Sequence, residues 1–306
     1  ALIGMDLNTS FQIVVTGTSF GFLNDFISDT HSYDYNVDCN SDGETDAINV
    51  TGGYTCLYGT DTTHTLSIAG TLPTFRADTA DVAKINTIKN WGNIEWKDMS
   101  YAFHNATNLT TIETTNAPDL SNVTSLGGMF YNASDFNADL SKWDTSTIVD
   151  MSFLFQNAPK FAGDLSQWNV SNVSNLDFIF MQASTFNSDI SQWNTSKATT
   201  MRGAFAQATA FNANISDWNM SNVNNTTAMF LRATAFNQDL ASWDMSKVTD
   251  VIGMFKDASA FSNNDLSCWD VSSVTQHNDF SKNWGAGNTE PNWDGTPCAA
   301  LIGMDL

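Results

Sequence analysis

The segment from residue 38 to residue 46 has the spacing of a metal-binding loop. Its side chains follow a D-x-N-x-D-G-x-x-D pattern, in which oxygens on alternate residues converge on one cation while Gly43 permits a sharp turn. Asn49 stands where an EF-hand has its bidentate Glu, so a plain Asp-Gly hairpin turn is the alternative. No cofactor is required, and one Ca²⁺ site is predicted at Asp38, Asn40, Asp42, Glu44 and Asp46.

A column of carboxylates recurs about every 25 residues. Like charges stacked this closely are unfavourable unless each carboxylate accepts backbone hydrogen bonds or shares a cation. Tight turns in the repeat favour backbone hydrogen bonds. Asn214, which replaces one carboxylate of the column, agrees with this, because its amide oxygen can accept the same bond. The column consists of Asp139, Asp164, Asp189, Asp239 and Asp265, with Asn214 in the fourth position.

A column of tryptophans recurs with the same period. Exposed, it would form a strip on which sugars stack, whereas buried it would be core, with each indole N–H bonded to a neighbouring turn. The spacing favours the core. The column consists of Trp143, Trp168, Trp193, Trp218, Trp243 and Trp269.

Catalytic chemistry has little support. The four histidines, His31, His64, His104 and His277, occur in dissimilar contexts, and none lies in a Ser/His/Asp or H-E-x-x-H pattern. We therefore predict that the protein is not an enzyme.

The cysteines fall as two pairs near opposite ends of the chain. Without a C-x-x-C motif or a companion His they do not suggest zinc, and pairing of Cys39 with Cys56 and of Cys268 with Cys298 is predicted from three possible connectivities. Disulfides and N-x-S/T sequons both point to a secreted or cell-surface protein. The candidate glycosylation sites are Asn8, Asn49, Asn105, Asn108, Asn122, Asn132, Asn172, Asn214 and Asn225.

Charge and hydropathy exclude two classes of partner. With 12 basic and 33 acidic residues the net charge is −21, so nucleic acid and anionic membranes are disfavoured as partners. No apolar stretch approaches the roughly 20 residues that cross a bilayer, so direct membrane insertion is not expected. The first residues do not read as a signal peptide, so any signal or anchor is expected outside this sequence.

The main signal is an internal repeat. Residues 136–260 divide into five lines of 25 residues, and a sixth line and degenerate upstream copies bring the total to about eight turns. A fixed period of this length predicts a solenoid. Met151, Leu154, Phe155 and Ala158 sit at i, i+3, i+4 and i+7, which predicts a short helix, and W-[DN]-x-S-x-V predicts a turn and a short strand. Other apolar columns include Phe136, Phe161, Phe186, Phe211, Phe236 and Phe261.

The repeat resembles the BspA-like leucine-rich-repeat surface proteins. The likeness rests on F-N-x-D-[LI]-S-x-W-[DN]-x-S-x-V followed by [ML]-x-x-[MLIA]-F-x-x-A, and it extends from about Trp91 to Trp284. It implies an extracellular, often multi-module protein associated with adhesion, and it supplies no catalytic residues.

The N-terminal part has alternating apolar residues instead of the repeat. The alternation, as in Phe11, Ile13 and Val15, broken by Gly, Asn and Asp turns, predicts a small β-sandwich. It resembles the PKD-like domain that often precedes such repeats, although Cys39–Gly43 replaces that family's W-G-D-G turn. The predicted fold is thus a PKD/Ig-like sandwich followed by a leucine-rich-repeat-like α/β solenoid.

Both ends of the sequence read ALIGMDL, at residues 1–7 and again at residues 300–306. A cloning scar would explain this, but the smooth joins favour one unit of an array with a period of 299 residues. The predicted junction residues are Leu2, Ile3, Met5, Leu7, Leu301, Ile302, Met304 and Leu306. The predicted divisions are 1–7, linker or donor strand; 8–78, sandwich; 79–285, solenoid; and 286–306, cap and junction.

Two functions follow from these predictions. The first is an extracellular structural or adhesive module that joins neighbouring copies of itself end to end, with a surface glycan or protein as a possible receptor. The alternative is a carbohydrate-binding module that uses the Trp-lined face of the solenoid. Ice binding is set aside, because Thr124 and Thr199 do not recur in register.

Overall fold

The computed structural model describes residues 4–23, 31–114 and 116–294. The N-terminal part forms one sheet from strands β1 (Phe11–Phe22), β2 (Asp34–Asp38), β3 (Ala47–Val50), β4 (Tyr54–Thr71), β5 (Ile85–Asn90) and β6 (Thr111–Ile112). The strand order is β3-β2-β4-β1-β5-β6. Every neighbouring pair is antiparallel except β5 and β6, which are parallel.

The predicted β-sandwich is wrong, since the described strands form a single sheet. The alternation in β1 does bury one face, including Phe11 and Ile13. That face is covered by the first aromatic residues of the repeat region instead of a second sheet. Phe11 packs edge-on against Trp96 at 5.3 Å between ring centroids, and Phe75 contacts Phe103 at 5.7 Å.

The sheet also continues into the solenoid. Strand β5 pairs with β1 on one side and with β6, one coil further along the chain, on the other. The N–H of Asn137, in the next coil, then donates to the carbonyl of Thr110 at 3.2 Å. The sheet and the repeats therefore share one core, and the sheet closes the N-terminal end of the stack.

The repeats form a solenoid whose coils stack in register. Single-residue parallel bridges join corresponding positions of consecutive coils, from Ser125 to Gln276. The phenylalanine columns are buried, with neighbouring rings of the Phe136–Phe261 column 5.8–6.1 Å apart. Phe186 and Val173 are 0% and 1% exposed, as stacked coils require.

The α/β character of the predicted solenoid is wrong. In the described part of the chain, the only helix is a single 3₁₀ turn at Val82–Lys84. The segment predicted to be helical is a series of tight turns, in which Phe153 and Asn157 have positive φ angles of 60° and 53°. Two left-handed residues four positions apart cannot belong to a right-handed α-helix.

Backbone hydrogen bonds in these turns run between coils. The N–H of Phe153 donates to the carbonyl of Asp177 at 2.8 Å, and the N–H of Phe155 donates to that of Ile179 at 2.9 Å. Intervening N–H groups donate within the coil, as Gln156 does to Phe153 at 3.1 Å. Alternate peptide groups thus point along the stack, and we call this arrangement the axial ladder.

Candidate functional site

The carboxylate column lies at the corners of the coils, where each carboxylate accepts the backbone N–H two residues later. Asp139 accepts from Ser141 at 2.9 Å, and Asp189 accepts from Ser191 at the same distance. The backbone N–H and then the hydroxyl of these serines lower the pKa of each aspartate below its ordinary value of 3.8. Asn214 makes the same bond to Ser216 at 3.0 Å. This geometry gives the column a structural role, because it satisfies turn N–H groups.

The predicted calcium loop is occupied by hydrogen bonds of its own. The buried carboxylate of Asp38 accepts the N–H groups of Asn40 and Gly43 at 3.2 and 2.9 Å, and Asp46 accepts that of Cys39 at 2.7 Å. Asp42 accepts the N–H of Glu44 at 2.9 Å. In the described ranges, no group of three or more His, Cys, Asp or Glu side chains is arranged to hold a metal ion. Calcium binding here stays a prediction.

The tryptophan column is part of the core. Its six side chains are only 3–5% exposed. The indole N–H of Trp193 donates to the carbonyl of Leu165 at 3.1 Å, and Trp168 and Trp218 make equivalent bonds to the coil before. The Trp-lined face is therefore not available for stacking sugars, so any glycan site must use other residues.

The histidines lie in separate surroundings. His64 stacks on Tyr58 in the sheet at 3.8 Å between centroids, His104 stacks on Tyr131 at 5.3 Å, and His277 stacks on Trp293 at 4.3 Å. His31 precedes β2 in the sequence. That the chain is not an enzyme remains a prediction.

One predicted disulfide is present. Cys39 at the end of β2 is bonded to Cys56 in β4, with Cα atoms 5.7 Å apart. This bond joins neighbouring strands close to the loop of residues 38–46. Cys298 lies outside the described residues, so its predicted bond to Cys268 stays a prediction.

The glycosylation candidates differ in whether their side-chain nitrogen is free to carry a sugar. Asn8, Asn49 and Asn122 are exposed, and the side-chain nitrogen of Asn122 donates only to the neighbouring Ser121 at 3.4 Å. In contrast, the side-chain nitrogen of Asn132 donates to Asn105 at 2.8 Å, and that of Asn172 donates to the carbonyl of Ser146 at 2.7 Å. Because these last bonds join two coils, a glycan at Asn132 or Asn172 would disrupt the stack. Glycosylation itself remains a prediction for the whole set, including Asn108, Asn214 and Asn225.

The described part of the first ALIGMDL copy, residues 4–7, begins beside the loop of residues 38–46. Gly4 forms an antiparallel bridge with Glu44, and the N–H of Met5 donates to the carbonyl of Gly43 at 2.9 Å. Met5 and Leu7 are half-buried. Six predicted junction residues lie outside the described residues: Leu2, Ile3, Leu301, Ile302, Met304 and Leu306.

A cavity that the sequence did not reveal lies between the sheet region and the first coil. Its volume is about 290 Å³, and its lining includes Arg76, Thr79, Tyr101, His104 and Asn105. Arg76 is paired with Asp98 at 3.3 Å. Burial and then the charge of Arg76 lower the pKa of His104 below 6.5, which favours the neutral imidazole.

Tyr101 gives this junction cavity an aromatic wall. Its side chain is 42% exposed, and Gly128 lies against one side of the ring, where an added Cβ would be 2.3 Å from the ring carbons. Three coils later, Phe178 takes the place of Tyr101, and Gly203 lies against its ring as Gly128 lies against that of Tyr101. An aromatic residue followed one coil later by glycine is the signal that sequence reasoning missed.

No helix in the described segments is long and hydrophobic enough to cross a bilayer. A family model described as "Mycoplasma protein of unknown function, DUF285" matches residues 97–210 and again residues 187–293. Searches of the curated proteins and of the solved structures found no match.

The two matched segments together run from residue 97 to residue 293, well over half of the chain, and they coincide with the stacked coils. The match supports the BspA-like part of the resemblance. Nothing in the comparisons or in the single sheet supports a PKD-like domain. The chain therefore belongs to the DUF285 family, and its DUF285 segments form the solenoid.

Proposed function

We propose that this protein is an extracellular structural or adhesive module that joins other copies of itself end to end. The observation that carries the proposal is the unbroken axial ladder, which bonds each coil to the next from Tyr101 to Lys282. With strands about 4.8 Å apart, eight coils make a rigid spacer roughly 40 Å long. Its interior is filled by its own side chains, so what remains for contact with partners is the outer surface and the ends.

Two further features support the proposal, one for its location outside the cytosol and one for contact through the ends. The Cys39–Cys56 disulfide is of a kind that persists in oxidising compartments. The net charge of −21 keeps such rods soluble and repels them from one another side by side, which favours contact through the ends.

Immunogold electron microscopy of the native cells tests the proposal. An antibody against the solenoid should label rods or filaments outside the cell, with an axial repeat of one module. Labelling confined to the cytosol would contradict it. The intact mass of the native chain then separates a covalent array from single units of 33.5 kDa.

The junction cavity favours a second function, the binding of a neutral sugar. Tyr101 offers a ring for stacking, while Asn105 and His104 offer hydrogen bonds at its edges. Asp98 largely neutralises Arg76, which disfavours an anionic ligand. This site replaces the buried tryptophan column as the basis of carbohydrate binding.

A glycan array of neutral oligosaccharides tests this second function. Binding should be lost in Tyr101→Ala and retained in Phe178→Ala, which removes an equivalent surface ring three coils away. Binding that survives Tyr101→Ala, or no binding by the intact protein, would exclude the cavity as a glycan site.

A further inference from the structure

The position of the first ALIGMDL segment shows what an identical segment would bind. Gly4 and Met5 contact the chain at Gly43 and Glu44 through backbone groups, by one antiparallel bridge and one hydrogen bond of 2.9 Å. Backbone pairing of this kind depends little on the rest of the molecule that carries the strand. We call the surface formed by Gly43, Glu44 and the outer edge of β3 the strand seat.

The strand seat has room for more pairing than Gly4 and Met5 supply. β3 is the first strand in the sheet order, so its outer edge carries no named strand among the described residues. Ile48 on this strand is 46% exposed. Because the bridge between Gly4 and Glu44 is antiparallel, residues that precede this glycine in a bound strand run toward β3.

After Leu7 the chain is held firmly by the sheet region. Ser10 is completely buried, and its hydroxyl donates to the carbonyl of Leu7 at 3.1 Å. The N–H of Asn93 donates to the carbonyl of Thr9 at 2.8 Å. The buried Ser10 and the bond from Asn93 to Thr9 hold the chain after Leu7, so exchange of residues 1–7 leaves β1 in place and costs the bonds that the carbonyls of Asp6 and Leu7 accept from Thr9 and Ser10.

We propose that residues 300–306 of one copy occupy the strand seat of the next copy, with Gly303 and Met304 in the position that Gly4 and Met5 hold in their own copy. This rests on the proposed end-to-end function and names its interface. Identical sequence lets Gly303 and Met304 make the contacts of Gly4 and Met5, and residue 300 repeats residue 1 at an offset of 299 residues. Cys298 and Ala299 precede the second copy and extend the pairing along β3.

Competition decides how strongly single chains associate. The chain's own first segment is tethered beside the seat, at an effective concentration on the order of millimolar. The complete chain should therefore remain mainly monomeric at micromolar concentration. Removing residues 1–7 vacates the seat and leaves the second copy as its only matching occupant.

Sedimentation velocity of three chains tests the proposal. The measurements are made at about 100 µM, where strand pairing of modest affinity is populated. The variant that lacks residues 1–7 should form concentration-dependent, elongated oligomers, while the complete chain and a variant lacking both copies should sediment as monomers. A monomeric 1–7 deletion with the circular dichroism spectrum of the complete chain would overturn the proposal.

Proline substitution separates strand pairing from nonspecific association. In the 1–7 deletion, Met304→Pro removes the N–H that corresponds to that of Met5 and should abolish the oligomers, whereas Met304→Ala should retain them. Equal association of both variants would contradict the proposal. If the deletion does not fold, the complete chain with Met5→Pro replaces it and should associate through the same seat.

These outcomes are independent of the cellular test. A monomeric deletion together with labelled filaments on cells would remove the strand seat and leave the proposed function in place. Oligomers of the deletion variant together with labelling confined to the cytosol would support the strand seat and contradict the proposed extracellular function.

Discussion

The sheet region and the solenoid share one core but build it from different contacts. In the sheet, β1 pairs with β4 across more than 30 residues of sequence, and each pair of strands has its own register, three of them with an irregularity. In the solenoid, every coil repeats the same axial bonds to the coil 25 residues away. Loss of one axial bond should therefore have the same effect in any interior coil, whereas the effect of a change in the sheet, or of a side chain that differs between coils, depends on its place.

The largest expected effect comes from a ring inside the stack. Phe180 is fully buried and stacks on Phe155 and Phe205, both 5.7 Å away between centroids, so Phe180→Ala should reduce the free energy of unfolding by about 3–5 kcal/mol. Phe178→Ala, on the outside of the same coil, should reduce it by about 1 kcal/mol. Urea denaturation measures both, and equal losses would show that the rings do not face opposite sides.

The disulfide should affect the sheet region alone. It closes a segment of 17 residues, so Cys39→Ser with Cys56→Ser should destabilise that region by about 3 kcal/mol. Hydrogen exchange read by mass spectrometry should show lost protection in β2 and β4, with unchanged protection from coil to coil beyond Met129. A loss of protection spread through the whole solenoid would mean that the two regions unfold as one unit.

Two glycines with the same backbone conformation sharpen the comparison between coils. Gly203 and Gly253 have φ angles of 55° and 59°. A Cβ added at Gly203 would be 2.5 Å from the Phe178 ring, whereas one added at Gly253 would meet only the side chain of Lys256, at 3.8 Å. We expect Gly253→Ala to cost about 1 kcal/mol and Gly203→Ala about 2 kcal/mol. In a Phe178→Ala background, Gly203→Ala should lower the melting temperature only as much as Gly253→Ala does. If Gly203→Ala still lowers it more, the clash with the Phe178 ring is not the cause.

The smallest effect is the acid sensitivity of the carboxylate column. Hydrogen bonds hold the pKa of Asp139 and Asp189 below 3.8, so their contribution to stability is full above about pH 4 and is lost as the pH falls through the lowered values. Asp139→Asn with Asp189→Asn keeps the acceptor, as Asn214 does naturally. The melting temperature of this variant should fall less between pH 5 and pH 2 than that of the parent chain, and parallel curves would contradict the assignment.

Sequence periodicity predicted which side chains face inward better than it predicted the backbone. Met151, Leu154, Phe155 and Ala158 are all buried, as the spacing required. A series of tight turns and an α-helix place inward residues at similar intervals, so the pattern could not distinguish them. The left-handed conformation of Phe153 and Phe178 was signalled only in other coils, where the same position carries Gly203 and Gly253.

The sheet region shows a second limit of the same reasoning. Alternation in β1 indicates that one face is buried, but it does not show what covers that face. Here Trp96 and Phe103, from the start of the repeats, supply the cover. The junction cavity was missed for a related reason, since Arg76 and Tyr101 belong to no shared motif and meet only because the sheet closes the stack.

Scalar couplings across hydrogen bonds, measured by NMR on deuterated protein, test the axial ladder most directly. The structure predicts a coupling from the N–H of Phe155 to the carbonyl of Ile179, and another from the N–H of Phe180 to the carbonyl of Ala204. A coupling from the N–H of Phe155 to the carbonyl of Met151, four residues earlier, would mean a helix in each coil and would contradict the ladder.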